Sequence, residues 1–251
     1  MIPNSDQVYE TPKILGSGDS CVVVEFSDAI DMEANIRLQD LRRIMETWSV
    51  PGIRECVPTY RSLSVYYNPL KITRPKLEET IRRALESIGR RAERERRTLV
   101  IPVSYGGEFG PDMESVSNHT GLPEDEIIRR HTNADYYCYM LGFTPGFGYL
   151  GGMDESLATP RLRNPRLIIP AGSVGIAGNQ TGVYSVDSPG GWRLIGRTPL
   201  KLFDPGDDAN PTLMEAGEWV RFRGISPGEY ASILEDVHSG RYIPERSAEA
   251  G

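Results

Sequence analysis

Three arginines crowd into one short segment, T-P-R-L-R-N-P-R at Thr159 to Arg166, of a chain whose formal net charge is -7. The planar guanidinium forks of Arg161, Arg163 and Arg166 suit a carboxylate or a phosphate, which they can grip at two points where a lysine offers only one. Arg166 is the candidate of choice for a catalytic role, because it directly precedes an apolar run, Leu167 to Pro170, that would hold it rigidly. The plainer alternative is that one or two of the three make surface ion pairs, the usual fate of an arginine. Just upstream, L-G-F-T-P-G-F-G-Y-L-G-G at Leu141 to Gly152 packs five glycines, one proline and three aromatic residues into twelve positions. Glycine inside regular structure costs conformational entropy, so such density signals tight turns or a close approach of backbone to a ligand. Phe143, Pro145, Phe147 and Tyr149 would then wall a small-molecule pocket, the alternative being aromatics that plug a barrel end.

Two further blocks supply polar and aromatic groups. P-A-G-S-V-G-I-A-G-N-Q-T-G, Pro170 to Gly182, has neither the lysine of a Walker A loop nor a G-x-G-x-x-G turn leading into a helix. It offers turn N–H groups and the side chains of Gln180 and Thr181 for orienting an amide or carboxylate. S-P-G-G-W-R-L-I-G-R-T-P, Ser188 to Pro199, presents Trp192 at a strand start, either for stacking or for the core. Of the histidines, His119 and His131 lie in a helical patch and His238 near the end, without metal-ligand spacing. His131 ends its helix just before a strand-rich region; it reads equally as an acid or base and as a dipole-favoured C-cap. No G-x-S-x-G elbow is present, and Ser173 has no assigned partner for a hydrolase triad.

The elements that must position these groups follow from periodicity. Cys21 to Phe26 reads as a strand after a polar leader, and Asp28 or Asp31 caps a helix carrying Ile36, Leu38, Leu41, Ile44 and Met45. Ile53 to Val57 and Leu63 to Tyr67 alternate as strands, and Pro75 opens a helix through Leu77, Ile81, Leu85 and Ile88. This βαββα order, completed by a strand at Thr98 to Val103, predicts a small α+β sandwich of ferredoxin-like type. The mixed-charge run at 90–97 reads as a solvated helix end. Pro123 opens a short helix over Glu124 to His131. From Tyr136 onward, short strands at Tyr136 to Leu141, Leu167 to Pro170, Val174 to Ala177, Gly182 to Val186, Trp192 to Ile195 and Trp219 to Phe222 predict a closed β-barrel. A short helix, Tyr230 to Val237, precedes a polar end expected to be disordered. The predicted domains are 1–97, 98–228 and a tail, 229–251.

With 39% hydrophobic residues among 251, the chain can bury its own cores without metal or disulfide. An acidic pI near 5.2 argues against nucleic-acid binding. Cys21, Cys56 and Cys138 have no paired or metal-binding spacing, and no apolar run approaches the roughly 20 residues that span a bilayer. A cytoplasmic protein without membrane contact is expected.

Read in order, the blocks Y-G-G-E-F-G-P-D at Tyr105 to Asp112, L-G-F-T-P-G-F-G-Y-L, N-P-R-L-I-I-P-A-G-S-V-G-I-A-G-N-Q-T-G-V-Y and S-P-G-G-W-R-L-I-G-R-T-P resemble the PxpB/KipI family, long labelled allophanate hydrolase subunit 1. The resemblance runs from Gly18 to Pro205. It implies a cyclophilin-like β-barrel behind the small N-terminal domain and a heteromeric partnership with PxpC/KipA-type and PxpA-type subunits. It implies further an ATP-dependent 5-oxoprolinase that opens 5-oxo-L-proline to L-glutamate, active in complex, with ATP and Mg at a position this sequence does not reveal. Phosphorylation of the amide oxygen would make the carbonyl open to water. Family members of KipI type inhibit a sporulation histidine kinase, and relatives within urea carboxylases suggest a carboxyltransferase-like unit of urea or allophanate metabolism; these are the alternatives.

Overall fold

Alternation along Cys21 to Ser27 buries Val22, Val24 and Phe26 on one side of a strand, and Leu63, Val65 and Tyr67 repeat the pattern. In the computed structural model, which describes residues 8–88 and 96–249, these segments form the centre of an antiparallel sheet. Its strands are β1 (Val8–Gly16), β2 (Cys21–Ser27), β3 (Ile53–Pro58) and β4 (Ser62–Tyr67), in the order β1-β2-β4-β3. Two helices, α1 (Met32–Trp48) and α2 (Arg74–Glu86), bury Leu38, Leu41, Met45, Leu77 and Ile81 against the apolar face. Asp31, not Asp28, caps α1 by accepting from the Ala34 N–H at 2.8 Å, and Pro75 sits in the first turn of α2 where no helical N–H is lost.

The fourth strand of this sheet is not the one expected. It is β1, drawn from the stretch that reads as a polar leader, so the order is ββαββα. Only one residue of β1 is buried, which leaves no apolar period to read; its backbone pairing with β2 makes it a strand. The strand expected to complete this sheet belongs elsewhere, because the chain divides into two compact units, Met1–Arg94 and Glu95–Gly251. Of the mixed-charge run, residues 90–95 lie outside the described residues.

The second unit begins with β5 (Arg96–Tyr105), buried from Thr98 to Ser104. Helices α3 (Met113–Thr120) and α4 (Glu124–Asn133) follow, then strands β6 (Asp135–Leu141) and β7 (Gly148–Gly151). Beyond them come β8 (Arg166–Ile169), β9 (Ser173–Ala177), β10 (Gln180–Val183), β11 (Ser188–Gly190), β12 (Arg193–Arg197) and β13 (Trp219–Gly224). Seven strands run β12-β9-β10-β7-β6-β13-β5, and β12 pairs back onto β5 through Gly196↔Tyr105 and Arg197↔Ser104, closing a barrel. Its core holds Leu99, Ile101, Tyr136, Cys138, Val174, Ile176, Val220 and Phe222. The segment that reads as a tail contains helix α5 (Pro227–His238) and a strand, β14 (Arg246–Glu249), paired with β5; Arg246 grips Glu218 at 2.9 Å. That polar end is ordered by backbone pairing and one ion pair, neither of which hydropathy reports.

Candidate functional site

The four sequence blocks converge on the outer wall of the barrel. Alternation puts Ile176 and Val183 inside while their neighbours Ala177 and Tyr184 face outward, where they join Phe147, Ile169, Trp192 and Leu194 in a second apolar cluster. Phe147 meets Tyr184 and Trp192 edge to face, with ring centroids 5.7 and 5.6 Å apart. Gly182 makes this possible: a Cβ there would stand 3.1 Å from Phe147 and 3.2 Å from Trp192, so the bare backbone of β10 is the floor on which both rings lie. The two-stranded ribbon β8-β11 contributes Ile169 to the same cluster. The Y-G-G-E-F-G-P-D block arrives by folding back on β12. Gly106 N–H donates to the Ile195 carbonyl at 3.0 Å and Asp112 N–H to the Leu194 carbonyl at 2.9 Å. Gly110 is pressed so close to the Ile195 carbonyl oxygen that a Cβ would lie 2.2 Å from it.

Asp112 joins these blocks electrostatically. It is buried, and one carboxylate oxygen accepts from the Leu194 N–H at 2.7 Å while the other accepts from Arg166 Nη2 at 2.8 Å. Arg166 is thus held at the start of β8 by Asp112, and not by the apolar run that follows it, where Leu167 and Ile168 are exposed. Its Nη1 is buried and has no hydrogen-bond partner, which is costly for a charged donor. Tyr184 lies within reach of the same charges: burial pushes its hydroxyl pKa up, while the Trp192 backbone N–H and the Arg161 and Arg166 guanidiniums oppose the rise. Arg161 also stands 5.9 Å over the Trp192 ring. The Ser188 hydroxyl, on the strand paired with β8, is a second buried polar group without a partner.

Other candidate residues are placed differently. His131 is fully buried among barrel-core side chains and stacks on Phe222 at 4.6 Å. Its Nδ1 lies 2.7 Å from the Tyr105 hydroxyl and its Nε2 2.8 Å from Thr181 Oγ1. Since the Thr181 hydroxyl donates to the Gly175 carbonyl at 3.0 Å, it accepts from Nε2–H, and Nδ1 accepts from Tyr105. Burial pushes the imidazole pKa down to about 3, so this is a neutral core histidine satisfied at both nitrogens, and the catalytic reading of it is corrected on that ground. Thr181 is spent on the same network and is also fully buried. Gln180 is its neighbour in β10 and so faces the opposite side of the wall; one ligand cannot take both.

The L-G-F-T-P-G-F-G-Y-L-G-G block is chiefly a hairpin. Leu141 pairs with Gly148 across the turn, and two of the block's five glycines, Gly148 and Gly151, belong to β7. Phe147 and Trp192 are buried in the outer cluster, and Tyr149 packs against it half-buried; the first two are platform rather than wall. Phe143 and Pro145 are exposed at the hairpin tip. Asp112 is the residue of this constellation that local sequence patterns do not single out; its one signal is an acid closing a glycine-rich block in a chain with an arginine triplet. Among the described residues no group of three or more His, Cys, Asp or Glu is placed to hold a metal, and no helix is long and apolar enough to cross a membrane.

Comparison with known proteins places this geometry in a family. Residues 12–214 match the family described as carboxyltransferase domain, subdomain C and D. The chain is 44% identical to the 5-oxoprolinase B subunit of Bacillus subtilis (strain 168), over 87% of this chain and 95% of that one. It is 42% identical to the 5-oxoprolinase B subunit of Escherichia coli O157:H7, over 82% and 92% respectively. Among solved structures, that of TTHA0988 superposes with a TM-score of 0.73 at 33% identity, covering 82% of this chain but 40% of that one. Both the outer-wall blocks and the length of the match put the chain in the carboxyltransferase subdomain C and D family, together with the 5-oxoprolinase B subunits.

Proposed function

We propose that the protein is the B subunit of an ATP-dependent 5-oxoprolinase that opens 5-oxo-L-proline to L-glutamate together with PxpA-type and PxpC-type subunits in the cytoplasm. The observation that carries this is 44% identity running along 95% of a relative named for that role. The substrate's chemistry suits the outer wall: 5-oxoproline bears one carboxylate and one ring amide, and the unpartnered Arg166 Nη1 is a donor for the carboxylate. Phe143, Pro145 and Tyr149 would border the ring, with Gln180 on the same face of β10. In this reading the first unit is a ferredoxin-like sheet whose edge strand precedes the first helix, and the barrel is cyclophilin-like.

The described residues assign no site to Mg–ATP. They place no cluster of metal ligands, and the sequence has no Walker lysine. No chemical step is therefore routed through nucleotide in this chain, whose part is to bind and orient. The test is reconstitution of the chain with both partner subunits, reading glutamate formed from 5-oxoproline and ATP. No turnover, accompanied by inhibition of a histidine kinase or by a carboxyltransferase activity on urea-derived substrates, would overturn the proposal in favour of one of those alternatives.

A further inference from the structure

The outer wall does not end at its buried cluster. Leu167 and Ile168, consecutive residues of β8, are 88% and 68% exposed, and Phe143, whose ring packs 5.6 Å from Phe147, is 62% exposed. Consecutive strand residues point to opposite sides, so the middle of the ribbon stands clear of the protein on both faces while Arg166 and Ile169 anchor its ends. β8 is paired on one side only, with β11. An edge strand bearing two bare branched apolar side chains is a template for another strand and is normally blunted by charge or covered. Phe143 adds backbone strain, with φ at +64° in the left-handed region that disfavours bulky residues. Phe143 packs on Phe147, which shares the outer cluster with Ile169 at the end of β8, so a strained, exposed aromatic and an uncovered edge strand rise from one apolar platform.

The charges nearby select the occupant. Arg161 and Arg163 are exposed and make no ion pair among the described residues, in a chain carrying a formal net charge of -7. A second copy of this chain docking by two-fold symmetry would bring arginine-bearing loops together. A different chain with carboxylates flanking an apolar stretch would neutralise them instead. TTHA0988 is consistent with a large neighbour, because this chain matches only 40% of that polypeptide.

From these observations we infer that β8 and Phe143 form the docking face for a second, different subunit, which lays an extended apolar segment with acidic flanks along the free edge of β8. The inference rests on the reading of this chain as one subunit of a heteromeric oxoprolinase. It also explains why Arg166, at the foot of the same strand, keeps a buried donor unpartnered: the docked segment would close one side of that position.

The test is co-expression of the full chain with a tagged PxpC-type subunit and measurement of their affinity. Wild type and a Leu70→Asp control, exposed on the first unit, co-elute with the partner. Leu167→Asp/Ile168→Asp weakens binding at least about tenfold with an unchanged thermal midpoint. Arg161→Glu/Arg163→Glu, which alters no apolar side chain, weakens it too and flattens the salt dependence. If both double variants bind like wild type, the docking face is wrong while the subunit reading stands. If wild type itself fails to bind, both fall. If wild type forms a homodimer that Leu167→Asp/Ile168→Asp dissolves, the face belongs to a second copy and the heterologous partner is refuted.

Discussion

Replacing His131 by glutamine will change how the barrel responds to acid, and the size of the change follows from its burial. Above about pH 6.5 the imidazole is neutral in both folded and unfolded chains and adds no pH dependence. Below it the unfolded chain takes up a proton that the folded one refuses until about pH 3, because the ring is fully buried between Tyr105, Thr181 and Phe222. The unfolded state therefore binds more protons, and stability falls as pH falls, by about 1.4 kcal/mol per unit. Across the whole window from 6.5 to about 3 this comes to about 5 kcal/mol. The assay is urea unfolding at several values between about pH 7.5 and 4. A Trp48→Phe background leaves Trp192 and Trp219, both in the barrel unit, as the fluorescent reporters. Carboxylates held low by arginines, such as Glu126 beside Arg129 and Arg130 with a pKa of about 2, lose stability in acid in both proteins, so the difference between His131→Gln and wild type isolates the histidine. The glutamine variant should start less stable at neutral pH and show the shallower slope. Parallel slopes would refute the buried neutral histidine and restore an accessible acid or base.

Arg166→Ala should lower 5-oxoproline turnover in the reconstituted assembly by at least about tenfold relative to Arg97→Ala, ~1.4 kcal/mol of transition-state binding, read as kcat/KM; equal rates would remove Arg166 from the site. Asp112→Ala leaves the buried Leu194 N–H and Arg166 without their acceptor, so a stability loss of about 2–3 kcal/mol is expected by denaturant titration, and an unchanged midpoint would show that water replaces the carboxylate. Gly110→Ala must push a Cβ against the Ile195 carbonyl oxygen, 2.2 Å away, and should cost about 1–3 kcal/mol or more through backbone shift. Gly107→Ala, with nothing within 4 Å of its Cβ but φ at +51°, should cost about 1 kcal/mol from backbone alone; equal losses in the two would mean that close approach plays no part at Gly110.

What is legible in the sequence depends on whether apolar periodicity carries the information. Strands such as Cys21 to Ser27, and the barrel strand around Val174 to Ala177, announce themselves because a buried face imposes a period on side-chain type. β1 and β14 do not, because each is held mainly by backbone pairing to a better-buried neighbour. The Leu141 to Gly152 block misleads for a related reason. Its glycines signal close approach, and close approach is present, but much of it is protein against protein: the hairpin returns through Gly148, and Gly182 opposite accepts the Phe147 ring. Arg166 is singled out in the sequence by the company of Arg161 and Arg163, but the apolar run after it, exposed at Leu167 and Ile168, is not what fixes it. Asp112, 54 residues away, has no local signature that distinguishes it from a turn-closing acid.

The side of the wall on which each residue falls bears on where chemistry can occur. Inside, His131, Tyr105 and Thr181 satisfy one another and are packed among aromatic rings, so this network offers a ligand no unmet hydrogen bond. Outside, Arg166 and Ser188 keep buried polar atoms unmet, and the aromatic cluster beneath them is a rigid platform. Such a wall can orient an anion, but Arg161, Arg163, Leu167 and Ile168 around those atoms are exposed, and an exposed surface cannot exclude the water that weakens each electrostatic contact with a developing charge. The conflict resolves if the missing side comes from another chain, which is what the uncovered edge of β8 and the unpaired charges of Arg161 and Arg163 invite. An oxoprolinase built this way would show little substrate affinity in the isolated chain and gain it on assembly. Loss of assembly through Leu167→Asp/Ile168→Asp should then raise KM before it touches the folding of the barrel.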